Sequence, residues 1–147
     1  MKQVFSVRAI DGWKPVAKMI ASLLRPGTIL TLSGPLGAGK TTFVQTLALT
    51  LGIQEIPKSP TFSLVRTYPI RSKHSTIKTL VHVDAYRIER PEDVRSLGLD
   101  DLIHTPGSVM VIEWPENLER WLSALSNQRI VLTILMRTDG RSAVVLS

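Results

Sequence analysis

A glycine-rich segment in the first third of the chain limits its possible folds more than any other feature. Residues 34–42 read GPLGAGKTT and match the phosphate-binding pattern GxxxxGK[ST] at every fixed position. The preceding residues 28–33 form a short apolar run that suits a buried strand, and residues 42–51 have helical apolar spacing. A strand, a glycine loop and a helix in this order predict a site for a nucleoside triphosphate.

The residue types within this loop predict how it would bind phosphate. Glycines permit backbone angles and close approaches that a Cβ atom would hinder, and amides at a helix N-terminus attract anions. Lys40 is expected to reach the β- and γ-phosphates, and the Thr41 hydroxyl is expected to hold Mg²⁺. The predicted nucleotide-binding residues of the loop are Gly37, Ala38, Gly39, Lys40, Thr41 and Thr42.

The composition predicts one globular domain that spans residues 1–147. Of these residues, 44% are hydrophobic, which suits a folded core, and no apolar run approaches the roughly 20 residues that cross a bilayer. The first residues lack the apolar core of a signal peptide, so we expect a cytoplasmic protein. The absence of cysteine excludes disulfides and thiolate metal sites.

The net charge of +6 favours polyanionic partners such as nucleotides, RNA or an acidic protein surface. Aromatic residues make up only 5% of the chain and show no base-stacking pattern. We therefore do not expect the protein to read a nucleic-acid sequence directly.

Alternating apolar strands and helices predict an α/β fold with a mixed central sheet flanked by helices. Besides the strand before the loop, strands are predicted at 3–7 (an edge strand), 62–68, 76–84, 108–113, 128–137 and 142–146. Helices are predicted at 14–24, 42–51, 91–97, 99–103 and 117–125. Two antiparallel hairpins are expected, the second with its turn at Asp139-Gly140.

Two predicted strands end in acids, Asp84 and Glu113. Because ligands of open α/β sheets bind beyond the carboxyl ends of the strands, both acids should face the crevice of Lys40 and Thr41. One would hold Mg²⁺, and the other would orient the attacking water or anchor a loop. His82, inside an apolar strand, is interpreted as a packed core residue. Trp114 would either cover the site or cap the sheet.

The loop at 58–62 occupies the position of the switch segments of nucleotide hydrolases. Ser59 and Thr61 offer hydroxyls to a γ-phosphate or its metal, and Pro60 stiffens the segment. On composition alone, a plain turn is the favoured interpretation.

In order, the segments GPLGAGKTTF, SPTFSLVRTY, HVDAYRI, LGLDD and VIEWPEN resemble the TsaE (YjeE) family, ATPases needed to form threonylcarbamoyladenosine in tRNA. The resemblance covers about residues 27–117. It implies a P-loop fold that binds ATP and Mg²⁺, and a switch-like role for 59–61 that includes Thr61. It also implies that Lys40, Asp84 and Glu113 are catalytic, that Thr41 and Glu113 bind the metal, and that Trp114 lies near the nucleotide.

The resemblance also implies partners. They are the TsaD and TsaB proteins, of which TsaD transfers threonylcarbamoyl to adenosine 37 of tRNAs that read ANN codons. A TsaE protein is not itself the transferase, and its ATP hydrolysis supports repeated turnover of that complex. Contact with tRNA would be indirect, through the complex. The basic turn near Arg71 is interpreted as a solvated hairpin tip.

Pro35 departs from the family pattern, which usually has aspartate at the second loop position. Proline has no amide hydrogen, so residue 35 cannot donate a backbone hydrogen bond to phosphate. The departure bears on the rate of hydrolysis rather than on nucleotide binding.

Two other classes of protein use the same loop. A small-molecule or nucleotide kinase would use Asp84 as its base, but 147 residues leave little chain for an acceptor domain or lid. A regulatory GTPase would need a guanine-specific segment such as NKxD after the late strands, and Glu113 is followed by Trp-Pro-Glu-Asn instead.

Overall fold

One seven-stranded sheet forms the centre of the computed structural model, which describes residues 1–58 and 64–147. Its strands are β1 (Lys2–Val7), β2 (Ile29–Ser33), β3 (Val65–Pro69), β4 (Thr79–Asp84), β5 (Ser108–Glu113), β6 (Arg129–Arg137) and β7 (Gly140–Leu146). They lie in the order β1-β7-β6-β2-β5-β4-β3, with β1 at an edge as predicted.

The four central strands run parallel and determine where a ligand can bind. β2 pairs with both β5 and β6, and β4 pairs with β5, all in parallel. β3, β7 and β1 add antiparallel pairs at the two sides. The predicted mixed sheet with two hairpins is confirmed, and the carboxyl ends of the four parallel strands meet at one edge.

Helices cover both faces of this sheet. They are α1 (Trp13–Leu23), α2 (Lys40–Thr50), α3 (Pro91–Arg95), α4 (Leu99–His104) and α5 (Glu119–Ser123). The predicted single helix at 117–125 is wrong in its first part, because a 3-10 turn at Pro115–Leu118 precedes α5. Trp114 enters that turn in the left-handed conformation, with φ at 59°. Within the described ranges, no helix is long and apolar enough to cross a membrane.

Alternate residues of the strands supply two hydrophobic clusters, one on each face of the sheet. Leu30 and Leu32 belong to the cluster that contains α1 and α2, where Trp13 and Phe43 pack edge to face at 5.6 Å between ring centroids. Ile29 belongs to the second cluster, with residues of α4 and α5. Burial on both faces explains why the central strands are almost wholly apolar.

Strand starts differ from the prediction by one residue in β1, β2 and β6 and by more in β4 and β7. β4 begins at Thr79 rather than 76, and β7 begins at Gly140 because Gly140 pairs directly with Arg137. The hairpin turn is therefore Thr138-Asp139, not Asp139-Gly140. This correction places Arg141 inside β7, next to the carboxyl end of β6. Residues 62 and 63 of the predicted strand 62–68 lie outside the described residues, Leu64 is not in a strand, and β3 begins at Val65.

Candidate nucleotide-binding site

The glycine loop lies between β2 and α2, as predicted. Gly37 and Gly39 both have positive φ, at 75° and 102°, and Gly39 directly precedes the first residue of α2. A Cβ atom on Gly39 would lie 3.2 Å from the Trp13 ring, so a larger residue there would strain both the backbone and the packing. The loop therefore leaves little room for a side chain at Gly39, directly before α2.

Lys40 is held inside the loop and is only 6% exposed. Its ammonium donates hydrogen bonds to the carbonyl oxygens of Gly34 at 2.6 Å and Pro35 at 2.9 Å. It also lies 4.3 Å from the centre of the Trp114 ring, within range of a cation–π interaction. Burial lowers the pKa of Lys40, and the nearby carboxylates, Glu113 first among them, act in the opposite direction.

The two acids predicted to share the crevice are direct neighbours. Asp84 and Glu113 end the adjacent parallel strands β4 and β5 in the same register, and both are buried. Asp84 Oδ1 accepts a hydrogen bond from the Tyr86 amide at 3.1 Å. The Thr41 hydroxyl lies 3.4 and 3.5 Å from the two carboxylate oxygens of Glu113. The structure therefore brings together Thr41 and Glu113, the two residues predicted to bind the metal.

The donor atoms at this point fit Mg²⁺ bound together with a nucleotide. No group of three or more His, Cys, Asp or Glu side chains that could hold a metal occurs in residues 1–58 and 64–147. A P-loop site does not need one, because Mg²⁺ there takes one or two protein oxygens and completes its coordination with phosphates and water. The Thr41 hydroxyl and the Glu113 carboxylate supply ligands of that chemistry.

His82 is buried as predicted, but its contact was not foreseen. The His82 side chain is fully buried, and Nε2 lies 2.6 Å from Glu113 Oε2. His82 and Asp84 are two residues apart on β4 and so share a face of the sheet. This spacing of two residues could have predicted that His82 lies on the same face of the sheet as Asp84.

Trp114 lies over the site rather than at a remote end of the sheet. Its ring is 4.9 Å from the ring of Tyr86, which is 50% exposed. The Asn117 amide donates to the carbonyl oxygens of Ala85 and Tyr86, which ties the segment after β4 to the turn after β5. Trp114 therefore stands beside Lys40, and Tyr86 packs against Trp114. Tyr86 was not among the predicted site residues.

Arg141 is the second residue that sequence reasoning missed. Its Nη2 donates to the Gly37 carbonyl oxygen at 3.1 Å, and its Nε is buried without a hydrogen-bond partner among the described residues. Sequence reasoning missed Arg141 because the predicted hairpin turn is one residue too late and the predicted strand begins only at residue 142. Arg141 therefore lay outside any predicted strand. The structure adds a cation to the rim of the loop.

One cavity of about 470 Å³ lies beside the glycine loop, and its lining does not include His82. Its lining contains every predicted site residue in the described part of the chain, together with Leu36, Tyr86 and Arg141. The predicted residues are Gly37, Ala38, Gly39, Lys40, Thr41, Thr42, Asp84, Glu113 and Trp114. The predicted switch-loop residues Ser59, Pro60 and Thr61 lie outside the described residues.

Comparison with known proteins gives one consistent family. The family model described as threonylcarbamoyl adenosine biosynthesis protein TsaE matches residues 8–143. A tRNA threonylcarbamoyladenosine biosynthesis protein TsaE from Bacillus subtilis is 41% identical, and the match covers 91% of this chain and 78% of that protein. One of the same name from Treponema pallidum is 37% identical, with 88% of each chain covered. The crystal structure of YdiB from Bacillus subtilis superposes with a TM-score of 0.72 at 29% identity, covering 99% of this chain and 84% of that one.

Proposed function

Since the chain belongs to the TsaE family, we propose that it is a Mg²⁺-dependent ATPase required to form threonylcarbamoyladenosine at position 37 of tRNAs that read ANN codons. It acts in the cytoplasm with the TsaD and TsaB proteins, and its ATP hydrolysis supports their turnover. It meets tRNA only through that complex and does not transfer threonylcarbamoyl itself. Residues 1–147 work as a single ATPase domain.

One observation carries this proposal: Lys40, Thr41, Asp84 and Glu113 border the same cavity at the carboxyl ends of parallel strands. A cation, a hydroxyl and two carboxylates beside a glycine loop are the protein groups that phosphoryl transfer from ATP to water requires. Arg141 adds positive charge to the lining of the cavity and contacts the loop through the Gly37 carbonyl oxygen.

Each residue has a distinct part in the proposed reaction. The backbone amides of residues 37–42 bind the phosphates, and Lys40 offsets the charge that develops on the γ-phosphate. Thr41 and Glu113 would hold Mg²⁺, which when bound neutralises phosphate oxygens. Asp84 orients the attacking water, since the Tyr86 amide fixes one of its carboxylate oxygens.

Two roles rest mainly on the family resemblance. Thr61 and its neighbours Ser59 and Pro60 are proposed to sense the γ-phosphate as a switch-like loop between α2 and β3. Trp114 is proposed to shield the nucleotide site from water, which strengthens the electrostatic interactions inside it.

The proposal predicts that the purified protein hydrolyses ATP slowly with Mg²⁺ and faster when TsaD and TsaB are added. Lys40→Ala should lower this hydrolysis by about 100-fold or more, because it removes the charge aimed at the phosphates. Lys14→Ala is the control, since Lys14 is exposed and pairs only with the exposed Asp11 among the described residues. Phosphate release measured with a coupled assay checks both variants.

Two results would contradict this assignment. Full ATP hydrolysis by the Lys40→Ala variant would show that the glycine loop does not take part in the reaction. A nucleoside or nucleoside monophosphate that accepts phosphate from ATP at a high rate would favour the alternative, a small-molecule or nucleotide kinase.

A further inference from the structure

A buried histidine stands behind the acid at the end of β5. His82 lies on β4, where it pairs with Val111 of β5, and Asp84 pairs with Glu113 two residues further on. The His82 ring therefore reaches diagonally along the shared face to Glu113, with 2.6 Å between Nε2 and Oε2. Both side chains are almost completely removed from solvent, at 0% and 4% exposure.

This contact is the shortest that the Glu113 carboxylate makes among the described residues. The Thr41 hydroxyl lies 3.4 and 3.5 Å from the two oxygens, near the outer limit for a hydrogen bond, so it restrains the carboxylate weakly. A glutamate side chain otherwise has several rotamers, and ordering it has an entropic cost. The short contact with His82 is thus what determines which way the carboxylate points.

The ring itself is oriented by the same contact. His82 Nδ1 is buried and has no hydrogen-bond partner within the described ranges, so Nε2 makes the only polar contact found for the ring. In the tautomer that carries hydrogen on Nε2, the ring donates to Glu113 Oε2 and leaves Oε1 toward Thr41. A residue kept only for packing would not need a nitrogen at this atom.

We propose that His82 is a positioning residue of the metal site: it holds the Glu113 carboxylate in the orientation that lets Glu113 and Thr41 bind one cation with the nucleotide. This inference rests on the proposed function, because it presumes that a nucleotide and a divalent cation occupy the cavity. It assigns His82 no contact with either of them. Partners that orient metal ligands in this way commonly contribute 10- to 100-fold to metal affinity.

The test compares two amide substitutions at His82. Glutamine places its amide nitrogen near the position of Nε2, whereas asparagine is shorter and places it near Nδ1. We expect His82→Asn to weaken Mn²⁺ binding to the protein–ADP complex by roughly 10- to 100-fold and His82→Gln to stay within about fivefold of wild type. Mn²⁺ stands in for Mg²⁺, and the paramagnetic resonance signal of free Mn²⁺ gives its affinity directly.

A second measurement separates positioning from a general effect on the fold. With EDTA present, calorimetric titration of ADP should give the same affinity for wild type and both variants within about twofold, because metal-free binding does not use Glu113. If His82→Asn does not fold, His82→Leu takes its place with the same expectation, since it removes the donor without burying an unpaired amide.

The outcomes are distinguishable. Equal Mn²⁺ affinity in His82→Asn and wild type would overturn the positioning role, and so would a parallel loss of ADP affinity in EDTA. Failure of His82→Gln to do better than His82→Asn would overturn it as well. If the wild-type protein binds neither ADP nor Mn²⁺–ADP, the proposed function fails first and the inference falls with it.

Discussion

Arg141 is the residue whose contribution is easiest to isolate. Within residues 1–58 and 64–147, its one side-chain hydrogen bond to the loop runs from Nη2 to the Gly37 carbonyl oxygen, and it lines the cavity. Gly37 itself has open space around it, since a Cβ atom there would meet no heavy atom within 4 Å. The Arg141 guanidinium therefore ties β7 to the loop at Gly37.

Arg141→Met should weaken ATP binding by about tenfold, since a hydrogen bond from a charged donor contributes about 1.5 kcal/mol. Methionine keeps the length of the apolar stem and removes the guanidinium. Arg25→Met is the matched control, because Arg25 is exposed and precedes the amino end of β2, whereas the glycine loop follows its carboxyl end. Isothermal titration calorimetry with ATP and Mg²⁺ measures both, and equal affinities would show that Arg141 does not support the loop.

For single residues, the sequence predicts a position correctly where that position follows from the pattern of neighbouring residues. Asp84 and Glu113 were located because each ends an apolar run, and parallel strands deliver such residues to one edge. The contact of His82 with Glu113 depends on which strand lies beside β4, and that pairing is not local. Arg141 depends on the exact hairpin turn, and a shift of one residue was enough to hide it.

The β6–β7 hairpin is the element that ties the outer strands to the site. Its partner β1 packs closely at the turn: a Cβ atom on Gly140 would lie 2.7 Å from the Val7 carbonyl oxygen and 3.0 Å from Arg8 Cα. Gly140 also has φ at 144°, which side chains rarely adopt. The position therefore combines a backbone conformation and a close approach that require glycine.

Gly140→Ala should lower the free energy of unfolding by about 2 kcal/mol more than Gly52→Ala. Gly52 is the matched control, because it also has positive φ, at 81°, but has no heavy atom within 4 Å of the added Cβ. The control therefore reports backbone strain alone. Urea unfolding followed by circular dichroism checks the difference, and equal values would show that the hairpin moves freely away from β1.

The elements themselves were largely predictable, and their order in the sheet was not. The parallel core was indicated by apolar runs such as Ser108–Glu113, whose bounds the structure reproduces. The position of β2 between β5 and β6 comes from contacts between residues far apart in sequence. The 3-10 turn before α5 escaped prediction because Trp114 adopts a left-handed conformation that its side chain does not favour.

For the whole molecule, binding of a nucleotide to the folded state alone should raise its stability by mass action. A concentration one hundred times the dissociation constant adds about 2.7 kcal/mol. For a chain of this size that corresponds to a rise of roughly 5–10 °C in Tm. The shift should require Mg²⁺ for its full size.

ATP with Mg²⁺ should therefore raise Tm clearly more than GTP at the same concentration. The reason is that no NKxD-type guanine segment follows the late strands. Differential scanning calorimetry with each nucleotide, at matched Mg²⁺, makes the comparison. A larger shift with GTP would revive the regulatory GTPase interpretation.

The location of the tryptophans has a practical consequence. Of the three in the chain, Trp114 stands beside the Lys40 ammonium, and Trp13 lies against Gly39 of the loop. Trp121 belongs to the opposite hydrophobic cluster, where its indole nitrogen donates to Asp100. Indole fluorescence is sensitive to nearby charge, so ultraviolet emission would follow ligand arrival and departure in real time without any attached dye.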